Sequence, residues 1–289
     1  MTDVVLLEEG NTLELPAEEF GLKGRWISFY LKNKIPFLPA IAVSTRFARD
    51  FHKNPDLGPL GAALKSLREF SEILSPEGRS DRFFVLLDLF MSPTQTVDPE
   101  HRLRHIGFTS QNIDSLYHYL GGKDLLRAFR GAVRQALFYS HRAKGDLPAE
   151  AREDQISEKN EWSRTYLAKD EMDLLVKVDK CRGNKELRDL IRQEDQKPSP
   201  FFKKYFRNTL DQLRHLLSDL SVIADREGWG QYGFLIQPSL ESRMGSENVM
   251  GSFVTSDLNT GRSDISGYYA PQQSEKTFPI EELPEHLLS

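Results

Sequence analysis

Short apolar runs at the start of the chain alternate with turn-forming residues. The length of each run indicates whether it forms a strand or a helix. The run VVLL at 4–7 predicts a strand, and a turn follows it at 9–11. Residues 22–33 are compatible with a helix that Ile35-Pro36 ends, because the residue before a proline disfavours helical backbone. The run FLPAIAVST at 37–45 then predicts a buried strand that is entered through proline.

Helical periodicity dominates the middle of the chain. Apolar residues recur at three- and four-residue spacing through 60–74, which predicts an amphipathic helix that stops before Pro76. The nearly unbroken apolar run at 82–91 is typical of a strand that is covered on both faces. Residues 111–142 carry a long helical pattern that Gly121-Gly122 interrupts.

The second half of the chain begins with a polar stretch and ends with strands. Residues 143–162 hold few apolar anchors and predict a surface loop or linker, and a helical pattern covers 171–192. A long helix is predicted from Pro200 to Gly228. Three strand candidates with glycine-bearing turns follow, with the sequences QYGFLIQPSL, MGSFVTS and SDISGYY. Helices in the middle and strands at both ends predict an α+β fold.

The composition of the chain bears on nucleic-acid binding, secretion and membrane insertion. The chain has 289 residues, a formal net charge of −5 and an isoelectric point near 5.9, which argues against a general nucleic-acid binder. The N-terminus lacks the cationic and apolar regions of a signal peptide, and no apolar run is long enough to span a bilayer. We therefore expect a soluble, cytoplasmic protein that binds neither nucleic acid nor membranes.

Candidate chemistry is sparse when each motif is taken alone. The single cysteine, Cys181, excludes an intramolecular disulfide and lies in a charged context typical of the surface. His101 and His105 are four residues apart in HRLRH, which favours a solvated basic segment over a metal pair. GLKG at 21–24 places Lys23 between two glycines before a helix, which suits either an anion site or a flexible turn. GSENVMG at 245–251 is a glycine-bounded loop, and it can equally be a simple hairpin connection.

Several segments near the N-terminus share their order and spacing with one family. They are EEGN at 8–11, GLKGRWISFY at 21–30 and KIPFLPAIAVST at 34–45. The N-terminal nucleotide-binding domain of pyruvate phosphate dikinase, which is related to phosphoenolpyruvate synthase, opens with a strand followed by E-E-G-N. It continues with G-G-K-G-x-N-L-A-E-M and G-x-P-x-P-x-G-F-x-x-T-T, and the present chain resembles it in that order.

The C-terminal part resembles the same family in four further segments. The family reads W-G-T-A-V-N-V-Q-x-M-V-F-G, G-E-T-S-G-T-G, V-x-F-T-R-N-P-x-T-G-E and G-E-Y-L-x-N-A-Q-G-E. The corresponding segments here are WGQYGFLIQPSLES, GSENVMG, SFVTSDLNTGR and SGYYAPQQSE. The resemblance implies an ATP-grasp-like, two-lobed domain with ATP and Mg²⁺ as expected cofactors. By position, it implies nucleotide-site roles for Lys23, Gln237, Gly245, Gly251, Gln273 and Glu275.

Departures from the family pattern affect its charged positions. The strand V-S-V-R-S-G-A should hold a phosphate-binding arginine, but its counterpart at 85–93 contains none. The arginine of F-T-R-N-P falls on Ser256, and the metal-binding glutamate of G-E-Y falls on Tyr268. Val249 replaces the central glycine of the phosphate loop, where a Cβ hinders close backbone approach. The resemblance therefore implies a degenerate domain, and we assign no catalytic or metal-binding residue.

Three hypotheses about function follow. In the first, a stand-alone degenerate domain binds ATP weakly or not at all and has a regulatory or interaction role. In the second, an active ATP-dependent phosphotransferase subunit works with a separate partner that carries the phosphohistidine domain. In the third, the resemblance is fortuitous and the chain is an unrelated α+β binding protein.

The predicted segments are an N-terminal lobe over 1–142, a linker with a helical insert over 143–194, and a C-terminal lobe over 195–289.

Overall fold

Two compact units make up the chain, one over Met1–Ser239 and one over Leu240–Ser289. The computed structural model describes residues 3–8, 13–35, 38–51, 53, 55–73, 86–95, 101–109, 112–120, 122–147, 151–157, 159–239, 249–256, 263–271 and 278–279. The turn predicted at 9–11 lies outside these residues. None of the described helices combines the length and apolar character needed to cross a lipid bilayer.

The first unit combines five strands with ten helices among the described residues. The strands are β1 (Val4–Leu7), β2 (Ala40–Val43), β3 (Leu87–Pro93), β4 (Arg102–Ile106) and β5 (Tyr232–Pro238). The helices are α1 (Ala17–Lys32), α2 (Thr45–Asp50), α3 (Gly58–Ile73), α4 (Ile113–Leu120), α5 (Gly122–Lys144), α6 (Glu161–Tyr166), α7 (Lys169–Lys180), α8 (Asn184–Gln196), α9 (Pro200–Tyr205) and α10 (Thr209–Glu227). The predicted α+β class is confirmed.

The five strands form one antiparallel sheet in the order β1-β2-β5-β3-β4. Successive side chains of a strand point to opposite faces, so each strand contributes to two surfaces. On one face, Ile41, Leu89 and Ile236 belong to the main core with residues of α5 and α10. On the other face, Ala42 and Leu235 pack in a smaller core with residues of α1. The second face is the one that holds the candidate site.

A kink at Gly21 sets the path of α1 over this second face. Gly21 has φ 73°, inside the left-handed region that favours glycine, and it divides α1 into two helical parts. A Cβ on Gly21 would lie 1.9 Å from the carbonyl oxygen of Ser92. Directly after the kink, the backbone N–H of Lys23 donates to Ser92 Oγ at 2.9 Å. The glycine therefore permits the close approach that fixes α1, and Lys23 with it, beside β3.

The second unit contains β6 (Val249–Ser256), β7 (Ser263–Pro271) and β8 (Phe278–Pro279) as an antiparallel sheet in that order. The two strands predicted from MGSFVTS and SDISGYY are confirmed as β6 and β7. Gly251 lies opposite Tyr269 in the register of this pair, and Ser252 lies opposite Tyr268.

Most predicted elements are present with shifted ends, and some predictions need correction. The helix expected over 171–192 is interrupted at Cys181–Gly183, between α7 and α8. The helix expected from Pro200 to Gly228 is interrupted between α9 and α10. Cys181 is buried rather than on the surface, because it belongs to the main core together with Val178 and Leu187.

The stretch at 143–162 includes the surface loop that its polarity predicts, but its described residues are attached to the helical layer rather than forming a separate linker. It completes α5, forms a short 3₁₀ turn at Glu153–Gln155 and begins α6. Ile156 is buried in the main core, and the indole nitrogen of Trp162 donates to the carbonyl of Asp146 at 3.3 Å. Two apolar anchors in a polar stretch are enough to attach it to the helical layer. All described residues up to Ser239 fall in the first unit.

Candidate anion-binding site

A β-bulge in the edge strand β4 determines which side chains reach the second face of the sheet. Leu89 pairs with Leu103, but Leu87 pairs with Ile106, so β4 carries one extra residue between these pairs. His105, with φ 60°, lies in that irregular part of the strand. Its backbone N–H donates to Asp88 Oδ1 at 3.3 Å. Bulges redirect side chains locally, and this one turns the backbone of β4 toward Asp88.

Asp88 is a buried carboxylate between two arginines of β4. Its side chain is only 3% exposed, and Oδ2 lies 2.5 Å from Arg102 Nη2 and 4.0 Å from Arg104 Nε. The side chains of Arg102 and Arg104 are 47% and 45% exposed. A carboxylate at this depth requires a charged or hydrogen-bonded partner, which Arg102 and the His105 N–H supply. Each guanidinium carries five N–H donors, which is more than Asp88 alone can accept.

Lys23 joins this group through the ring of Phe90. Lys23 Nζ lies 5.4 Å from the ring centroid of Phe90, and Arg102 Cζ lies 4.8 Å from the same centroid. Both distances are within the range of a cation–π contact. We refer to Lys23, Asp88, Phe90, Arg102 and Arg104 as the basic cluster. Among the described residues, the basic cluster itself contains three cations and one carboxylate.

Two further residues of the predicted site lie in described parts of the chain. Gln237 is opposite Asp88 in the β3–β5 register, so it lies beside the basic cluster. Its Nε2 donates to the carbonyl oxygen of Leu38 at 3.2 Å, which holds its amide against the segment that leads into β2. Gly251 lies in β6 of the second unit. Gly245, Gln273 and Glu275 lie outside the described residues.

Sequence reasoning missed the two arginines of the cluster. HRLRH was interpreted as a helix-spaced histidine pair or a solvated segment, whereas residues 102–106 form an edge strand. The signal was present in R-L-R, because two residues separated by one apolar residue share a face of a strand. Leu103 is buried in the main core, and both arginines point to the other face.

The two histidines of this segment do not form a pair. His101 stacks on Trp229 with a centroid separation of 4.4 Å, and its Nδ1 lies 3.3 Å from the hydroxyl of Tyr139. Burial lowers the pKa of His101, and the nearby Arg142 guanidinium acts in the same direction. In the parts of the chain that the structure describes, no three His, Cys, Asp or Glu side chains come together as a metal site.

A second set of ionisable groups is buried among the helices. His141 lies between Glu171, at 2.7 Å from Nε2, and Asp146, at 3.1 Å from Nδ1. The hydroxyl of Tyr205 donates to Asp219 Oδ2 at 2.5 Å, and burial raises the pKa of that carboxyl. These groups join α5, α7, α9 and α10, and their polar atoms are used within the protein. We interpret them as structural.

The chemistry available at the basic cluster is the recognition of an anion. Guanidinium groups present planar arrays of donors that suit phosphate and carboxylate oxygens, and an ammonium adds a compact charge. The cluster has no nucleophile, and its carboxylate is already ion-paired with Arg102. Comparison with known proteins adds no assignment: no family model matches the chain, and no curated protein does.

Proposed function

We propose that the chain is a nucleotide-binding domain similar to the N-terminal domain of pyruvate phosphate dikinase, and that the basic cluster binds the phosphates of ATP. The observation that carries the proposal is the convergence of Lys23, Arg102 and Arg104 around Phe90 and Asp88. Lys23 is the position at which the resemblance implies a phosphate ligand. The arginines supply the positive charge that the segment at 85–93 lacks.

Binding at this cluster should be weak and sensitive to salt. The arginine side chains are about half exposed, and exposed charges are screened within a Debye length of roughly 8 Å at physiological ionic strength. Asp88 offsets part of the positive charge. Since Asp88 is ion-paired with Arg102, we assign no Mg²⁺ to it.

Catalysis is not part of the proposed function. The sequence has Ser256 and Tyr268 where the family places an arginine and a metal-binding glutamate. Phosphoryl transfer depends mainly on positioning and on neutralising charge with cations and metal ions, so these changes remove principal contributions. We therefore favour a cytoplasmic, ATP-grasp-like domain with a regulatory or interaction role, which acts with a protein partner.

Calorimetric titration of the full chain with ATP and with Mg·ATP tests this function. We expect weak binding that Lys23→Ala reduces, and no metal-dependent ATP turnover. ATP binding that Lys23→Ala leaves unchanged at low ionic strength would contradict the proposed site. Metal-dependent turnover that Lys23→Ala abolishes would instead favour the alternative of an active phosphotransferase subunit with a separate phosphohistidine partner.

A further inference from the structure

The helix α1 carries large apolar side chains on two sides, although only one side faces the core. Its inner side places Phe20 and Ile27 against Leu235 of the sheet. On its outer side, Trp26 and Phe29 are 58% and 49% exposed, and their rings meet edge to face with centroids 6.2 Å apart. Large aromatic side chains that are exposed together are typical of surfaces that bind another protein. The outer side of α1 therefore has aromatic residues at its centre and charged residues around them.

Neighbouring segments extend this apolar surface beyond the helix. The chain before α1 runs alongside it, because the N–H of Leu15 donates to Ser28 Oγ at 2.9 Å, and Leu13 is exposed there. At the other end, the N–H of Ile35 donates to the carbonyl of Tyr30 at 2.9 Å, and Ile35 is also exposed. Five large hydrophobic residues are exposed among the described residues, and four of them are Leu13, Trp26, Phe29 and Ile35.

After the Gly21 kink, every charged residue of α1 and of the turn that follows it is a lysine or an arginine, although Glu14 lies beside Leu13 in sequence. Residues 20–35 contain four lysines or arginines and no acidic residue, in a chain whose net charge is −5. Arg25 and Lys32 lie on the exposed side of α1, where Arg25 directly precedes Trp26 and Lys32 follows Phe29 by three positions. The side chain of Lys32 is 70% exposed and forms an ion pair with Glu14, which is 79% exposed, at 3.1 Å. A surface with aromatic residues at its centre and cations at its edge complements an apolar surface with an acidic edge.

We propose that the outer surface of α1, formed by Leu13, Arg25, Trp26, Phe29, Lys32 and Ile35, binds a partner protein through an amphipathic acidic helix. Trp26 is the anchor, because tryptophan and arginine dominate the energetics of many protein interfaces. The partner's apolar side chains cover Trp26 and Phe29, and its carboxylates face Arg25 and Lys32. This surface is distinct from the basic cluster and does not depend on nucleotide binding.

The probe is an 18-residue helical peptide with leucines along one face and glutamates on the others. The peptide carries a fluorescein label, and its fluorescence anisotropy is followed as the full-length protein is added. We expect binding that weakens about tenfold or more in Trp26→Ala and in Lys32→Glu, as expected for loss of an interface anchor. Tyr166→Ala is the matched control, because Tyr166 is 48% exposed on α6, and it should bind the peptide unchanged.

Four outcomes would overturn the proposal. The first is equal binding of a peptide in which lysine replaces every glutamate. The second is an equal loss of binding in Tyr166→Ala and Trp26→Ala. The third is a Trp26-dependent response to vesicles of phosphatidylserine and phosphatidylcholine without any response to the acidic peptide. The fourth is concentration-dependent self-association that Trp26→Ala abolishes, which would identify a second copy of this chain as the occupant.

Discussion

Asp88 and Arg102 form an ion pair across the outermost two strands of the sheet, with Oδ2 and Nη2 2.5 Å apart. The carboxylate is buried, and the guanidinium is about half exposed and packs on Phe90. Asp88 thus has two opposing effects on anion binding by the basic cluster. It holds Arg102 on this face of the sheet, and its charge reduces the attraction of the cluster for a phosphate.

The amide variant Asp88→Asn distinguishes the positioning effect of Asp88 from the effect of its charge. Asparagine keeps an oxygen that can accept the His105 N–H but removes the negative charge. We expect the affinity for tripolyphosphate to rise about tenfold, since one charge at short range near the surface is worth on the order of 1–2 kcal/mol. Calorimetric titration of both proteins measures the change. Asp173→Asn, at an exposed position on α7, is the matched control. A lower affinity in Asp88→Asn would show that holding Arg102 matters more than the charge.

Gly21 is predicted to be essential for the path of α1. In Gly21→Ala the new Cβ would meet the Ser92 carbonyl oxygen, and the residue would keep φ 73°. The two effects should cost about 2 kcal/mol or more of unfolding free energy. Urea denaturation measures this cost. The matched control is Gly131→Ala in α5, where a Cβ meets nothing within 4 Å and should stabilise the helix by up to roughly 1 kcal/mol. Equal effects at both positions would contradict the assigned role of the kink.

His215 should make the protein less stable in mild acid. Burial, with a contribution from Lys204, lowers its pKa from the ordinary 6.5 to about 4, although Asp211 acts in the opposite direction. The unfolded chain therefore binds more protons in this window, and stability falls as the pH drops from 6.5 toward 4. We expect the urea midpoint to be lower at about pH 5 than at about pH 7.5, with a smaller difference in His215→Gln. An equal difference in His215→Gln would assign the effect to other groups.

The Tyr205 hydroxyl should stabilise the helical layer through Asp219. Tyr205→Phe removes the donor and leaves a buried carboxyl without this partner, which should cost about 1–3 kcal/mol. In the background of Asp219→Asn, the same change should cost less, because the acceptor no longer carries a charge. A double-mutant cycle from urea denaturation measures the coupling. Additive effects would show that the two side chains do not depend on each other.

The sequence was informative where one strong local signal determined the structure. The strand at Val4–Leu7 and the end of α10 at Gly228 were predicted correctly, because an apolar run and a glycine in the left-handed region are local features. The R-L-R pattern indicates the two arginines, but the full basic cluster could not be predicted, because it also depends on how α1 packs on the sheet. The pairing of β3 with β4 joins segments that are adjacent in sequence. The contact of Phe90 with Lys23, in contrast, requires α1 to cross the face of the sheet on which Phe90 lies. The bulge at His105 likewise results from pairing between strands.

The central claim is that Arg102 belongs to the anion site, and one comparison tests it directly. The affinity of the full chain for tripolyphosphate is measured at low salt for the unmodified protein, Arg102→Ala and Arg127→Ala. Arg127 is an exposed arginine of α5, the helix that packs against the opposite face of the sheet. We expect Arg102→Ala to weaken binding about tenfold, as for a partly exposed charge-assisted contact, and Arg127→Ala to leave it unchanged. Equal affinities for Arg102→Ala and the unmodified protein would contradict the claim.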